Sequence, residues 1–353
     1  MNWPAATSPG RIGRVAMSSP EISQPHDSLV RYTFGQLQHA ASFFRENLSA
    51  TLASAIRWDE LKLLGGSFVD EQLRQTETDL LYQVPLHDTT QGADAERSLF
   101  LYLLFEHQST TDRWMPLRLL RYMGEIWQRH IGEQPGVVGL PPIIPIVLAQ
   151  VAGGWKVSPQ FHDQVLWPKA PLLRESLEVH QPQFEHSLID LAGIDLHALR
   201  GSLVARLTQG LLKIRIEGDD GVVVDWALPL LAEADRAKIG PDSMLPLYRY
   251  LLSVTGLNKE EFRARLARSA ISGDTTQSIM TLADQLINEG LLKGREEGRE
   301  EGREQGALIG RLQTLQRLLG RAADPLSALA GMPKDQLESM AARLEQELGE
   351  RLK

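Results

Sequence analysis

Cysteine is absent from all 353 residues. That excludes disulfides, thiolate metal sites and cysteine nucleophiles. Long apolar runs are also missing: none approaches the roughly 20 residues needed to cross a bilayer. The N-terminal stretch MNWPAATSPGRIGRVAMSSPEISQPHD lacks the continuous apolar centre of a signal peptide. Nor is there a surplus of positive charge. The formal net charge is -8, which argues against a protein that coats nucleic acid by bulk electrostatics. A cytoplasmic, bacterial-type protein with no membrane partner is the expectation.

What is present reads as globular. Hydrophobic residues make up 42% and charged residues 23%, and the length suffices for two domains with a substantial core. The Pro-, Gly- and Ser-rich residues 1–24 read as a disordered extension, with Met17 a second candidate for the initiator. From Asp27, a plausible N-cap, SLVRYTFGQLQHAASFFRENL carries apolar positions at roughly helical spacing. Three strands are expected next: LKLLGGSFV (61–69), broken by Gly65 and Gly66; DLLYQVPL (79–86); and SLFLYLLF (98–105), buried on both faces. RWMPLRLLRYMGEIWQRHI follows as an amphipathic helix. Met115, Leu119, Tyr122, Met123, Ile126 and Trp127 lie on its apolar face, and Arg118, Arg121 and Arg129 share the opposite side with Glu125. PPIIPIVLAQ (141–150) is an apolar fourth strand, starting after prolines that a central strand interior would not tolerate.

From about 155 to 275 the pattern is mostly helical and shows no spacing that carries chemistry. His162, His180, His186 and His197 have no mutual ligand spacing and read as surface residues, while Trp155 and Trp167 read as packing anchors. A four-residue unit then repeats, with Gly294, Gly298, Gly302, Gly306 and Gly310 in phase. Each glycine inside a helix costs about 1 kcal/mol relative to alanine. The pairs Glu296–Arg299 and Glu300–Arg303 recover a few tenths each. A helical connector or self-association surface is the preferred reading of this repeat, and a flexible charged tether is the alternative. An RNA-binding Arg/Gly tract is disfavoured, because glutamates outnumber arginines in GREEGREEG.

The chemistry concentrates at the end of the third strand, where the seven apolar residues Leu99–Phe105 run into Glu106, His107 and Gln108. A carboxylate at the end of a buried run needs something to offset its desolvation. If the second and third strands form an antiparallel hairpin, Asp79, which opens one, comes beside Glu106, which closes the other. Alternation puts Glu106 and Gln108 on one face and His107 on the other. Two carboxylates from neighbouring strands suit a hard divalent cation such as Mg²⁺, which could activate water against a phosphodiester. Spacing leaves a second reading open, in which both carboxylates simply face water. Asp27 with His26 allows two readings as well, a helix cap or an additional acid of the site. Between Met17 and Gln134 there are 10 Lys and Arg against 16 Asp and Glu, a net of -6. DNA binding by this segment alone should therefore be weak.

The stretches QPHDSLVRYTF, GSFVDEQLRQTETDLLYQVPL, YLLFEHQSTTDRWMPLRLLRYM and PIIPIVL closely resemble the recombination-promoting nuclease/transposase family of the PD-(D/E)XK nuclease superfamily, over roughly residues 20–290. The resemblance implies an α/β fold with a restriction-endonuclease-like αβββαβ core and mixed sheet, then a mostly helical region and a C-terminal helical segment. It implies a Mg²⁺-dependent (or Mn²⁺-dependent) DNA endonuclease acting on double-stranded DNA. Asp79, Glu106 and Gln108 would be the catalytic set, with Asp79, Glu106 and the His107 carbonyl holding the metal. Arg118 and Arg121, on the helix beside the carboxylates, are candidates for DNA phosphate contacts and for supplying the positive charge that Gln108 lacks. The sequence departs from the superfamily motif at Gln108, which stands where a lysine is usual and can hydrogen-bond but not carry charge. The expected division is a nuclease core at 25–155, a helical region at 156–288 completing that domain, a Gly-Arg-Glu repeat helix at 289–312 and a small helical domain at 313–353. Homo-oligomerisation through the C-terminal helices is a further expectation, and a nuclease fold that has lost its chemistry through Gln108 is the alternative function.

Overall fold

The structure, a computed structural model, describes residues 25–64, 80–87, 100–134, 136–239 and 241–351. The expected disordered extension, the latter part of the first strand and Asp79 lie outside these residues. The chain starts with three helices, α1 (Pro25–Phe34), α2 (Leu37–Asn47) and α3 (Ala50–Ala55). The sequence suggested one long first helix; the structure breaks it after Phe34. Gly35 donates its N–H to the Arg31 carbonyl at 2.8 Å. A Cβ there would stand 2.6 Å from that oxygen, so the chain uses the glycine to turn.

Five strands follow in a single sheet ordered as in the chain: β1 (Lys62–Leu64), β2 (Leu80–Pro85), β3 (Phe100–Gln108), β4 (Ile143–Ala149) and β5 (Ser187–Asp190). The β1–β2 and β2–β3 pairings are antiparallel, and the β3–β4 and β4–β5 pairings are parallel. Parallel neighbours need a crossover, which helix α4 (Met115–Glu133) provides between β3 and β4. The sheet is therefore mixed. β5 was missed in the sequence, where its four residues were absorbed into a mostly helical stretch.

Two expectations about strand ends are corrected. Glu106 does not close β3, because the strand continues to Gln108 and pairs Glu106–Gln108 with Val147–Ala149. Proline also sits inside a central strand, since Pro145 of β4 is paired with Leu104. The register explains the tolerance. Gln150 N–H donates to the Gln108 carbonyl at 2.7 Å, so alternate, even-numbered residues of β4 direct their N–H groups to β3. Pro145 would direct its missing donor to the other side, where pairing with β5 begins only at Ile146.

β3 is buried on both faces. Leu104 and Tyr102 pack with Leu119, Tyr122 and Ile126 of α4, with Val147, and with Trp155, one of the two expected anchors. On the opposite face Phe105 meets Phe34, Phe43 and Phe44 at ring-centroid distances of 5.1, 5.7 and 5.5 Å. Tyr82 donates its hydroxyl to the Phe34 carbonyl at 2.5 Å, so the helices at the start of the chain cover this face.

Beyond β4 the described α-helices are α5 (Pro171–Glu178), α6 (Leu203–Leu212), α7 (Ile214–Glu217), α8 (Asp220–Arg236), α9 (Pro241–Val254), α10 (Lys259–Leu266), α11 (Gly273–Leu318), α12 (Leu326–Leu329) and α13 (Lys334–Arg351). Among the described residues no helix is long and apolar enough to cross a membrane. The chain forms two compact units, Met1–Asp284 and Gln285–Lys353. The second has its own core of Ile309, Leu312, Leu319, Leu329, Leu337 and Leu344. The glycine repeat is helical and lies within α11, where Arg303 pairs with Glu300 at 2.8 Å.

Candidate active site

The end of β3 carries polar side chains in opposite directions. Glu106 is completely buried. Its Oε1 accepts from Gln108 Nε2 at 2.9 Å and is ion-paired with the Arg118 guanidinium. Arg118 also lies 3.3 Å from the Asp112 carboxylate. Asp112 in turn receives the Trp114 N–H at 2.8 Å, just before α4 begins. Local sequence thus sets the site: β3 ends, Asp112 holds the start of α4, and Arg118 is delivered within the first turns of the helix. What offsets the desolvation of Glu106, in the described residues, is this guanidinium.

The other carboxylate oxygen, Glu106 Oε2, is buried and has no hydrogen-bond partner among the described residues. Such an oxygen is the donor that a hard cation such as Mg²⁺ takes. The donor chemistry fits a divalent metal at that atom, with Arg118 competing for the neighbouring oxygen. No group of three or more His, Asp or Glu able to hold a metal occurs among the described residues. Asp79, the expected second carboxylate, lies outside them; the residue after it, Leu80, pairs with Phe105, the residue before Glu106.

His107 faces away from Glu106 and Gln108, as alternation required. Its Nδ1 is 2.8 Å from Asp27 Oδ1 and its Nε2 is 3.1 Å from Gln150 Oε1. Gln150 Nε2 donates to the Leu212 carbonyl at 2.7 Å, which fixes the amide with its oxygen toward the ring. Both ring nitrogens therefore face hydrogen-bonding partners. This imidazole is engaged on the far face. The His107 carbonyl is directed differently. Tyr102 N–H and the Gln108 carbonyl both bond toward β4, so alternation turns the carbonyl of His107 to the β2 side. Asp27 is not an N-cap; it lies in the first turn of α1 and its carboxylate is committed to His107.

The arginines do not form a single solvated face. Arg118 turns in to Glu106, and its side chain is only 21% exposed. Arg121 is exposed, with its guanidinium 5.5 Å from the Tyr122 ring centre. Arg129 pairs with Glu133 at 2.5 Å. Sequence reasoning missed Gln150 altogether. Its signal was available, because Gln150 ends the apolar IIPIVLA run much as Glu106, His107 and Gln108 end theirs. His186 is a further correction. It is buried rather than on the surface, with neither ring nitrogen hydrogen-bonded among the described residues, and burial pushes its pKa down to about 4. Trp167 anchors its segment by donating to the His162 carbonyl at 2.9 Å.

Residues 24–238, more than half of the chain, match the family described as "Putative transposase, YhgA-like". The chain belongs to that family. Among similar members are the Recombination-promoting nuclease RpnA of Escherichia coli (strain K12), 32% identical over 131 residues, and RpnD of Escherichia coli O157:H7, 35% identical over 131 residues. Each match covers 37% of this chain, and 41% and 47% of the relative respectively. A third, the Inactive recombination-promoting nuclease-like protein RpnE of Escherichia coli (strain K12), is 28% identical over 131 residues, 37% of this chain and 40% of its own length. The chain thus spans less than half the length of these curated relatives, and the family contains proteins named as nucleases and proteins named as inactive. No solved structure matches the chain.

Proposed function

We propose that this protein is a metal-dependent DNA endonuclease with a restriction-endonuclease-like core, hydrolysing phosphodiesters in double-stranded DNA in support of recombination or of a mobile element. The observation that carries the reading is the fully buried Glu106, whose Oε2 has no hydrogen-bond partner among the described residues, near the end of the strand that pairs with the one following Asp79. The names of RpnA and RpnD support it. Glu106 and Asp79 would hold Mg²⁺ or Mn²⁺, with the His107 carbonyl as a further ligand. When bound, the ion supplies positive charge and Lewis acidity at the scissile phosphate. Gln108 orients the attacking water through its amide, and Arg118 and Arg121 meet backbone phosphates. In the reaction a bond forms from the water oxygen to phosphorus, a P–O bond to the sugar breaks, and a proton ends on the departing sugar oxygen.

A second reading has its own observation. The guanidinium on Glu106 already balances the carboxylate, Gln108 carries no charge, and RpnE is a relative named inactive. In that reading the fold acts through DNA binding or through self-association of the C-terminal helices. Supercoiled-plasmid nicking by the purified protein, with and without Mg²⁺, separates the two. The nuclease reading expects Mg²⁺-stimulated nicking that Glu106→Ala and Asp79→Ala each reduce at least about 100-fold. Nicking that survives both substitutions would overturn it.

A further inference from the structure

Among the described residues, Arg118 is the one cation at ion-pair distance from Glu106, and it has two carboxylates to choose between. Its guanidinium meets Glu106 Oε1 on one side and lies 3.3 Å from Asp112 on the other. Resting on the nuclease reading above, we propose that Arg118 is a built-in counter-ion with two stations. It competes with a divalent ion for Glu106, and it passes to Asp112 and an incoming DNA phosphate when such an ion takes the carboxylate.

Three observations support the exchange. Glu106 is fully buried, and an ionised carboxylate there needs a positive partner at all times. A guanidinium and a divalent ion are like charges, so they cannot share one carboxylate at full strength. The second station is within reach, because Asp112 needs no large movement of the side chain and Asp112 is itself 28% exposed at its side chain. Arg118 also keeps 21% of its side chain at the surface, although its Nε and Nη2 are buried. The planar fork of arginine suits a phosphate bidentately. Gln108, on the other flank of Glu106, can hydrogen-bond but cannot neutralise charge, so the site's protein-borne cation comes from α4 rather than from β3.

The test pairs metal binding with cleavage, using the full chain. Mn²⁺ binding is read from the electron paramagnetic resonance of the free ion, and folding from circular dichroism. Arg118→Met should bind Mn²⁺ about tenfold more tightly, since its competitor is gone, while plasmid cleavage at saturating metal falls about 100-fold. Arg118→Lys should recover part of the cleavage. Asp112→Asn, which keeps the polar contact to Trp114 but weakens the second station, should bind Mn²⁺ less tightly than wild type. It also decides the matter if Arg118→Met does not fold. Unchanged or weaker Mn²⁺ binding by a folded Arg118→Met protein would overturn the proposal, as would Asp112→Asn binding Mn²⁺ as wild type does. Undiminished cleavage by Arg118→Met removes the phosphate role. A wild-type protein that binds Mn²⁺ but never cleaves sinks the nuclease reading instead, and the Mn²⁺ comparison then judges Arg118 alone.

Discussion

Neighbouring residues on β3 satisfy their buried polar groups in opposite ways. Glu106 uses Arg118 and Gln108, and leaves one oxygen without a partner among the described residues. His107 has acceptors at both nitrogens, from α1 and from the end of β4. A satisfied network of this kind fixes the strand end in position, so that Glu106 is presented on a rigid element rather than on a loop. His186 has no such support. Among the described residues both its ring nitrogens lack hydrogen bonds, and burial lowers its pKa from 6.5 to about 4. The unfolded chain therefore binds a proton between those two values that the folded protein refuses. The contribution of His186 is fully present above pH 6.5 and is lost as the pH falls toward 4, amounting to about 3 kcal/mol at the end of that window. Urea unfolding at pH 7.5 and pH 4.5 measures it. The stability difference between the two pH values should shrink by most of that amount in His186→Leu, while the contribution of titrating carboxylates remains in both proteins. An equal difference in the two proteins would mean that His186 takes up its proton as readily in the folded protein as in the unfolded chain, and would overturn the lowering by burial.

At the scale of elements, glycine acts in contrasting ways in two helices. A Cβ on Gly210 of α6 would lie 1.9 Å from the ring of Trp226 on α8. The ring is rigid, and overpacking of this degree costs about 1–3 kcal/mol or more. Gly298 of α11 has no heavy atom of another group within 4 Å of the same position, so alanine there should stabilise by up to about 1 kcal/mol. Thermal unfolding followed by circular dichroism should show Gly210→Ala melting earlier and Gly298→Ala no earlier than wild type. A Gly298→Ala protein that melts early would place the repeat's glycines against something that needs their small size.

The same scale shows what was legible in the sequence. The two faces of β3, the antiparallel partner β2 and the apolar face of α4 were readable, because alternation and helical period report burial directly. The break at Gly35 was hidden, because both of its flanking helices continue an apolar pattern. β5 was hidden because four residues carry too little alternation to stand out. The arginines of α4 were expected beside the carboxylates, but the direct Arg118–Glu106 pair was hidden. Periodicity assigned Arg118 to the polar side of its helix, and only the three-dimensional position of the strand end turns that side toward a buried carboxylate.

For the whole molecule, the acidic balance and the division into two units make separate demands. With a net charge of -8, the DNA contact proposed above would have to rest on local positive groups such as Arg118 rather than on the overall field. The division bears on stability. The Gln285–Lys353 unit has a core built from a handful of aliphatic residues of α11, α12 and α13. Cores of that size supply only a few kcal/mol. The Met1–Asp284 unit carries a five-stranded sheet with both faces of β3 buried, and should outlast it. Scanning calorimetry of the full chain should therefore show two transitions, with the smaller one at lower temperature. Removing Leu291–Lys353 keeps Leu286, a buried residue of α11, and should delete the lower transition while leaving the upper within about 3 °C of its original position. A single transition in the full chain, or an upper transition that collapses on truncation, would show that the C-terminal helices contribute to the stability of the sheet and its Glu106 site.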